Sequence, residues 1–535
     1  GNPSTDDAVA WATAYYANRL AGVLVEANPA ISRVFESWKK SGKDQETLMS
    51  NLEKNSDLKD LLLTETPWVA EAADEAEQKR RIALLFDLNG MSSRLQQAAD
   101  KLRTLQLTDG SWSWYKGMKG SRYITTQTVE LMARLKAMNI SLTDGMEAQY
   151  GRALGYLRKE VKKVYEQMRI QERENNIQVR PDEQIVKYLY ICALDETARK
   201  QADKEINTYF LARLTNCSAE CSIYEKSLLA VIMHAYGQKR QAELLLQSVK
   251  EYMLATPEMG RYFDTSKAGY SWNSYKIPTQ VAAMEAIWRI APDQHLLGDM
   301  KQWLLKQKQV QVWDTPLATA DAVYAFLGMG GNRLQVSGSL KARIGLKTLV
   351  TPDDALGYVR QTYTGADTEV SRIAVVKSGK GLSWGAVYAQ YLEDMIRVRP
   401  FRTNGLGIVR EYWLGEEQVS ASTRLKPGDK LTVRLMVKAD RDMDFVQIKD
   451  ERASCMEPAV QLSGYHWNGG IGYYQVNKDA STEFFIDQMR KGTYVLEYTV
   501  YLDRPGTYQA GIATIQSAYA PEFNGHTDGV ELTIE

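Results

Sequence analysis

Four cysteines are the most reactive side chains in this 535-residue sequence, and a thiol does chemistry only beside a base, a metal or a second sulfur. Cys192 falls on the stripe Ile185, Tyr188, Leu189, Cys192, spaced i, i+3, i+4, i+7, and reads as a buried apolar thiol on one helix face. Cys217 and Cys221 stand four apart in TNCSAECSIY. One helical turn brings Cα atoms to about 6 Å, so a small disulfide and two free thiols are both open. Four cysteines in this length form neither a disulfide framework nor a metal cluster. His234, His295, His466 and His526 are scattered with no partner at ligand spacing, and give no support to a zinc site or a histidine-based triad. No catalytic residue, metal ligand or cofactor is expected.

The other side chains that invite a functional reading are aromatic. LQLTDGSWSWYKGMKGSRYITTQT, residues 105 to 128, holds Trp112, Trp114, Tyr115 and Tyr123, and further along stand Trp272, Tyr275 and Trp313. Rings of this kind dock peptides or glycans, and they also fill large helical cores. Their spacing favours a repeated element. TTQTVELMARL, PTQVAAMEAIW and LATADAVYAFL align without gaps, bring Ala133, Ala286 and Ala325 into register, and each follow a tryptophan. Trp272 and Trp313 are 41 residues apart, and Trp114 and Trp272 are 158 apart, close to four such units. About forty residues accommodate a helical hairpin, and hairpins that bury their stripes on one another build a ring or superhelix.

The first repeat also carries Gln106-x-x-x-Gly110-x-Trp112, which resembles the glutamine-tryptophan joint of α/α-toroid proteins; Gln307, Gln311 and Trp313 form a degenerate copy. Such a joint is structural. A toroid raises a terpene-cyclase-like enzyme as one reading, but the Asp-x-Asp-Asp acid that protonates an alkene is missing. Asp6-Asp7 and Asp353-Asp354 lack the upstream aspartate. A prenyltransferase would need a zinc cluster of Cys, His and Asp, which does not occur.

These residues must be positioned by more than one core, because the chain exceeds what one domain usually holds. Sixty-six basic and sixty-six acidic residues give no net charge, which argues against a broad electrostatic footprint for nucleic acid or anionic membrane. No run of eighteen apolar residues marks a transmembrane segment. From Asp6 to about Gly328 the periodicity is helical; beyond it LTVRLMVKAD and YVLEYTVYL alternate as half-buried strands, with KPGDK and DRPGTY as turns. The expected fold is multidomain α plus β: an α/α toroid at 1–330, a small β-rich segment at 331–402 and a β-sandwich at 403–535. With helical periodicity from the outset and no initiating Met, the sequence reads as a piece of a longer polypeptide. Tyr465-His466-Trp467-Asn468-Gly469-Gly470 is read as a hairpin or a contact loop.

Four stretches in order carry a resemblance that spans nearly the whole chain. TETPWVAEAADEAEQKRRIALLFDLN followed by LQLTDGSWSWYKGMKGSRYIT resembles the thioester-domain region of bacterial alpha-2-macroglobulin family proteins. GLSWGAVYAQYLED resembles the stretch leading into their last domain. RLKPGDKLTVRLMVKADRDMDFVQIKDERASCMEP and MRKGTYVLEYTVYLDRPGTYQAGIATIQSAYAPEFNGH are similar to their terminal macroglobulin-like sandwich.

The resemblance implies a periplasmic or cell-envelope endopeptidase inhibitor whose partners are proteases met by the intact protein. In that family a cut in a bait segment collapses the molecule around the attacker, and a Cys-x-Glu-Gln thioester captures it. Here the cysteines are followed by Ala-Leu-Asp, Ser-Ala-Glu, Ser-Ile-Tyr and Met-Glu-Pro. PSTDDAV aligns with the thioester motif and places Asp6, Ala8 and Val9 at its cysteine, glutamate and glutamine, so no thioester residue is carried over. Residues 331–402 match part of the family's small CUB-like β domain. The expected mechanism is non-covalent steric trapping; the alternative is a peptide- or glycan-binding scaffold of the envelope that uses the aromatic residues.

Overall fold

The computed structural model describes residues 3, 7–27, 88–257, 259–263, 275–310, 315–329, 340–345, 347–350, 372–378, 393–402, 405–518, 520 and 523–535. Trp272, Trp313, Asp6 and the Asp353-Asp354 pair lie outside these residues, as do most of the first family-like stretch and of GLSWGAVYAQYLED. The described residues form two compact units of mixed α plus β class, with twelve α-helices and several antiparallel sheets. Among them no helix is long and apolar enough to cross a membrane.

In the first unit six helices make an inner set: α1 (Ala8–Ala27), α3 (Arg122–Ala137), α5 (Glu183–Leu194), α8 (Ile223–Ala235), α10 (Lys276–Ile290) and α12 (Pro316–Gly328). Each packs on the next, and α12 packs on α1, so the ring closes. Between them in the chain come α2 (Leu88–Leu105), α4 (Asp144–Asn175), the short α6 (Glu196–Gln201), α7 (Lys204–Asn216), α9 (Lys239–Glu251) and α11 (Gln294–Val310). Packing of α2 on α1, α4 on α3 and α9 on α8 makes successive helical hairpins.

Sequence explains which helices go inside. In α3 every residue from Ile124 to Leu135 is buried, and in α8 every residue from Ile223 to Met233 except Glu225. By contrast α9 buries only Ala242, Leu245, Leu246 and Val249, the i, i+3, i+4, i+7 stripe of a helix with one wet face. The register alanines Ala133, Ala286 and Ala325 are all fully buried on inner helices, where a methyl group lets neighbouring backbones approach.

The inner helices start at one rim. Ser121, Asp182, Ser222 and Thr315 cap α3, α5, α8 and α12 through side-chain oxygens that accept first-turn amides. Arg122 pairs with Asp182, Arg180 donates to both oxygens of Glu225 at 2.8 and 2.9 Å, and Tyr224 stacks on Tyr275 with centroids 5.4 Å apart. These contacts tie the starts of α3, α5, α8 and α10 together. A small antiparallel sheet, β3 (Leu340–Ile344) between β4 (Lys347–Val350) and β5 (Ile373–Lys377), belongs to the same unit.

The second unit is a sandwich of two antiparallel sheets. One has the order β12-β13-β14-β10-β17-β18-β6, formed by Gly464–Asn468, Ile471–Asn477, Ser481–Met489, Met443–Glu451, Ala513–Ser517, Asn524–His526 and Phe401–Arg402. The other has the order β11-β15-β9-β7-β8, formed by Met456–Pro458, Gly492–Leu502, Lys430–Ala439, Leu406–Leu414 and Glu417–Gln418. β16 (Gly506–Ala510) pairs with β19 (Val530–Ile534). The expected alternation is met: Leu431, Val433, Leu435, Val437 and Ala439 point into the core from β9. Gly469 and Gly470, both at positive φ, close β12 onto β13 as a two-residue hairpin turn.

Two glycines hold the ring where loops press on outer helices. Gly110 has φ +93°, and a Cβ there would lie 2.4 Å from the carbonyl oxygen of Arg152 on α4. Gly260 on β2 (Gly260–Phe263), which pairs with β1 (Met253–Thr256), has φ +72° and would place a Cβ 2.2 Å from the carbonyl oxygen of Asp299 on α11. Gly237 is also left-handed, at φ +80°, but faces open space. Gly110→Ala is therefore expected to cost roughly 3 kcal/mol and Gly237→Ala about 1 kcal/mol, the difference being the steric clash. Denaturant unfolding followed by helical circular dichroism checks this; equal costs would mean that the backbone at residue 110 has room to shift.

Candidate functional site at the rim and axis of the helical ring

The loop into α3 is built on Gln106 and Trp112. Gln106 Nε2 donates to the carbonyls of Gly110 and Gln149 at 3.0 and 2.9 Å, and its Oε1 accepts from Arg152 Nε and Nη2 at 3.0 and 2.6 Å. Trp112 is fully buried; its indole Nε1 donates to Leu102 O at 2.9 Å and its backbone amide to Thr125 Oγ1 at 2.9 Å. Together they bind α2, α3 and α4. An equivalent corner escapes the Gln-x-x-x-Gly-x-Trp pattern because two of its three residues differ: Thr256, Gly260 and Tyr262 hold the same spacing, and Tyr262 stacks on Trp303 with rings 7° from parallel. A ring residue two positions after a left-handed glycine was its detectable signal.

The remaining aromatic candidates divide by burial. Trp114 and Tyr115 are exposed at the rim, with Trp114 stacked 5.5 Å from the half-buried Tyr123. Tyr275 is half-buried against Tyr224. The structure thus brings Trp112, Trp114, Tyr115 and Tyr123 into one loop and its helix, and sets Tyr275 at another helix start.

The thiols are not poised for attack. Burial pushes Cys192 and Cys221 up to about 12, and raises Cys217 and Cys455 from their ordinary value. All four are free, and Cys221 Sγ lies 3.6 Å from the carbonyl oxygen of Cys217. Cys221 borders a rim cleft of about 640 Å³, with Arg180, Glu183, Glu225, Lys226 and Tyr252 around it. Among the described residues no group of three or more Asp, Glu, Cys and His side chains could hold a metal ion.

The axis carries charges that sequence reading missed. Arg134 on α3 pairs with Glu130 one turn away at 2.9 Å and with Asp321 on α12. Lys187 on α5 reaches Glu130 at 3.0 Å and Gln127 at 3.1 Å. Tyr190 on α5 donates to Glu285 on α10, which also accepts from Tyr324 on α12 at 2.7 Å and Arg289 at 2.7 Å. The partners in Arg134–Asp321 and Tyr190–Glu285 come from inner helices that are not neighbours in the ring, so these side chains meet at its centre. Burial opposes ionisation of Glu130, but Lys187 and Arg134 outweigh it and hold the carboxyl below its usual range. Burial raises Asp321, with Arg134 offsetting part of the rise. The available signal was an ionisable pair at i, i+4, Glu130/Arg134 and Glu285/Arg289, inside helices otherwise too apolar to show a solvated face.

Residues 405–522 match the family described as "Bacterial Alpha-2-macroglobulin MG10 domain". An alpha-2-macroglobulin homolog from Nostoc sp. is 22% identical over 480 residues, covering 82% of this chain and 23% of the relative. The chain is similar to bacterial alpha-2-macroglobulin family proteins along most of its length. It spans about a quarter of that relative's length. A circularly permutated Ras protein 2 from Dictyostelium discoideum is 25% identical over 172 residues, 31% of this chain and 4% of that protein. Trypsin-activated alpha-2-macroglobulin from Escherichia coli is similar at TM-score 0.40 and 12% identity, over 84% of this chain and 30% of that one.

The start of α1, where the thioester motif would align, is an ordinary helix cap. Asp7 Oδ1 accepts the amide of Val9 at 2.9 Å, Ala8 is buried, and Val9 packs on the helical core. The rim loop before α5 is anchored by Glu172 at the far end of α4, which accepts from Arg213 Nε and Nη2 at 2.6 and 2.8 Å and from the Val179 amide at 3.1 Å.

Two predictions follow from these charges. Arg134→Met should cost about 3–5 kcal/mol because it strands Asp321 in the core, and adding Asp321→Leu should recover much of the loss; denaturant midpoints of the two variants decide this. The Arg213 hydrogen bonds hold Glu172 from an ordinary 4.5 down to about 2. A depressed carboxyl contributes its stability in full above the unfolded value and loses it as pH falls, here from about 4.5 through about 2. Glu172→Gln should flatten the stability profile of the helical unit across that window, read from urea midpoints at stepped pH.

Proposed function

We propose that the chain serves a longer envelope protein as the helical-ring and terminal part of an endopeptidase inhibitor that acts by non-covalent steric trapping. In this reading residues 1–330 are the thioester-domain-like toroid, 331–402 a small CUB-like segment and 403–535 the macroglobulin-like sandwich. The observation that carries it is the MG10 match at 405–522 following a closed helical ring in a chain without Cys-x-Glu-Gln. A thioester is a protected electrophile made from a cysteine sulfur and a glutamine acyl carbon; without that cysteine there is no bond for a lysine of the attacker to break. Burial of Cys192 and Cys221, which pushes both thiols up, supports the same reading. Inhibition then rests on enclosure after a cut elsewhere in the full protein.

Enclosure has a kinetic signature. A protease incubated with the full-length protein should lose activity on large protein substrates while keeping it on small chromogenic peptides. Methylamine treatment should leave the mass of the protein unchanged. A methylamine adduct would overturn the non-covalent reading, and equal loss on large and small substrates would overturn enclosure.

A further inference from the structure

We infer that the loop joining Trp112 to α3 is a peripheral membrane-docking element that seats on an anionic phospholipid surface. Its base is rigid. The Ser121 amide donates to Trp112 O at 2.8 Å, Asp109 accepts from both the amide and hydroxyl of Ser111 at 3.0 and 2.6 Å, and Gly120 sits so close to Ser111 that a Cβ would lie 2.0 Å from its hydroxyl oxygen. Its tip is a turn: the Met118 amide donates to Tyr115 O at 3.1 Å, with Gly117 at φ +88° in the left-handed position. This turn holds Trp114, Tyr115 and Met118 in water at 50%, 59% and 52% exposure.

Three large apolar side chains on one narrow projection offer no groove to grip a peptide. They match a surface that yields to them, because Trp and Tyr place a ring in the acyl region and a polar edge among headgroups. Charge complements this. No acidic residue occurs from Gly110 to Val129, while Lys116 and Lys119 are exposed on the turn and have no ion pair among the described residues. Arg122 is neutralised by Asp182 at the loop's foot and Asp109 is held at its base by Ser111, so the positive charge at the tip is that of the two lysines. An apolar wedge flanked by lysines is the pattern of interfacial anchors, and a loop this small gives weak, reversible binding that depends on anionic lipid. The zero net charge of the whole chain is no obstacle, since the field near a membrane falls off within a Debye length and only the tip approaches it.

The test is co-sedimentation of the 535-residue chain with sucrose-loaded vesicles of phosphatidylcholine, with and without phosphatidylglycerol. The chain should pellet with the anionic vesicles and far less with the neutral ones. Lys116→Glu with Lys119→Glu should reduce partitioning on the order of tenfold, and Tyr115→Ser with Met118→Ser should also reduce it. Trp114 is left in place because it stacks on Tyr123, and unchanged thermal melts will show that both variants fold. Failure of the wild-type chain to pellet, equal pelleting with both lipids, or undiminished pelleting of both variants would each overturn the assignment. Loop-dependent binding of a fluorescent glutamate-rich peptide without vesicle binding would overturn it too, and would make the loop a protein-docking surface.

Discussion

Arg134 holds two carboxylates, Glu130 from its own helix and Asp321 from a helix that is not its ring neighbour, and closure of the helical ring depends on that kind of pairing. Once α12 packs on α1, the inner helices are buried over most of their length. Any ionisable side chain pointing to the axis must then find its counter-charge within the ring, on its own helix, on a neighbour or across the centre. Glu130, Asp321 and Glu285 stand against Arg134, Lys187 and Arg289, three acids and three bases. Buried pairs of this kind add little net stability relative to well-packed apolar residues, but losing one partner is costly. Their contribution is to register: only one arrangement of α3, α5, α10 and α12 satisfies all six.

The sandwich meets the same constraint between its sheets. Arg410 on β7 and Asp450 on β10 belong to different sheets and meet at 2.6 Å with both side chains almost fully buried. Tyr498 on β15 donates to the other oxygen of Asp450 at 2.7 Å, and Arg410 also donates to Gly511 O at 2.6 Å. Burial raises the Asp450 carboxyl despite the guanidinium beside it. Apolar alternation tells each strand which side to bury but is indifferent to how one sheet slides over the other. A clasp joining β7, β10 and β15 removes that freedom.

Much of this architecture was legible because it follows period and turn chemistry. The three aligned segments that carry Ala133, Ala286 and Ala325 are inner helices, since a helix buried on all sides keeps small residues where backbones touch. Leu431 to Ala439 and Leu496 to Leu502 alternate as strands with one buried face. The axial network was not legible, because Glu130 with Arg134 at i, i+4 is also how a solvated helix face is written, and only the ring brings Asp321 to them. The second corner was missed for a related reason. Its glutamine and tryptophan are replaced by Thr256 and Tyr262, while the feature that geometry requires there, Gly260 against the Asp299 carbonyl, is a single unremarkable letter.

Pairing at the axis also determines where function has to lie. A reaction chamber needs a group whose ionic or hydrogen-bonding capacity is unspent, and at the centre of this ring Glu130, Asp321 and Glu285 each already accept from a cation or a hydroxyl. Exposed polar and apolar side chains are found at the rim: the lysines and rings of the loop before α3, and the cleft beside Cys221. There burial raises the Cys221 thiol, and side chains already cap the starts of α5 and α8. What the rim can present is contact, an apolar and cationic surface set on rigid helix starts.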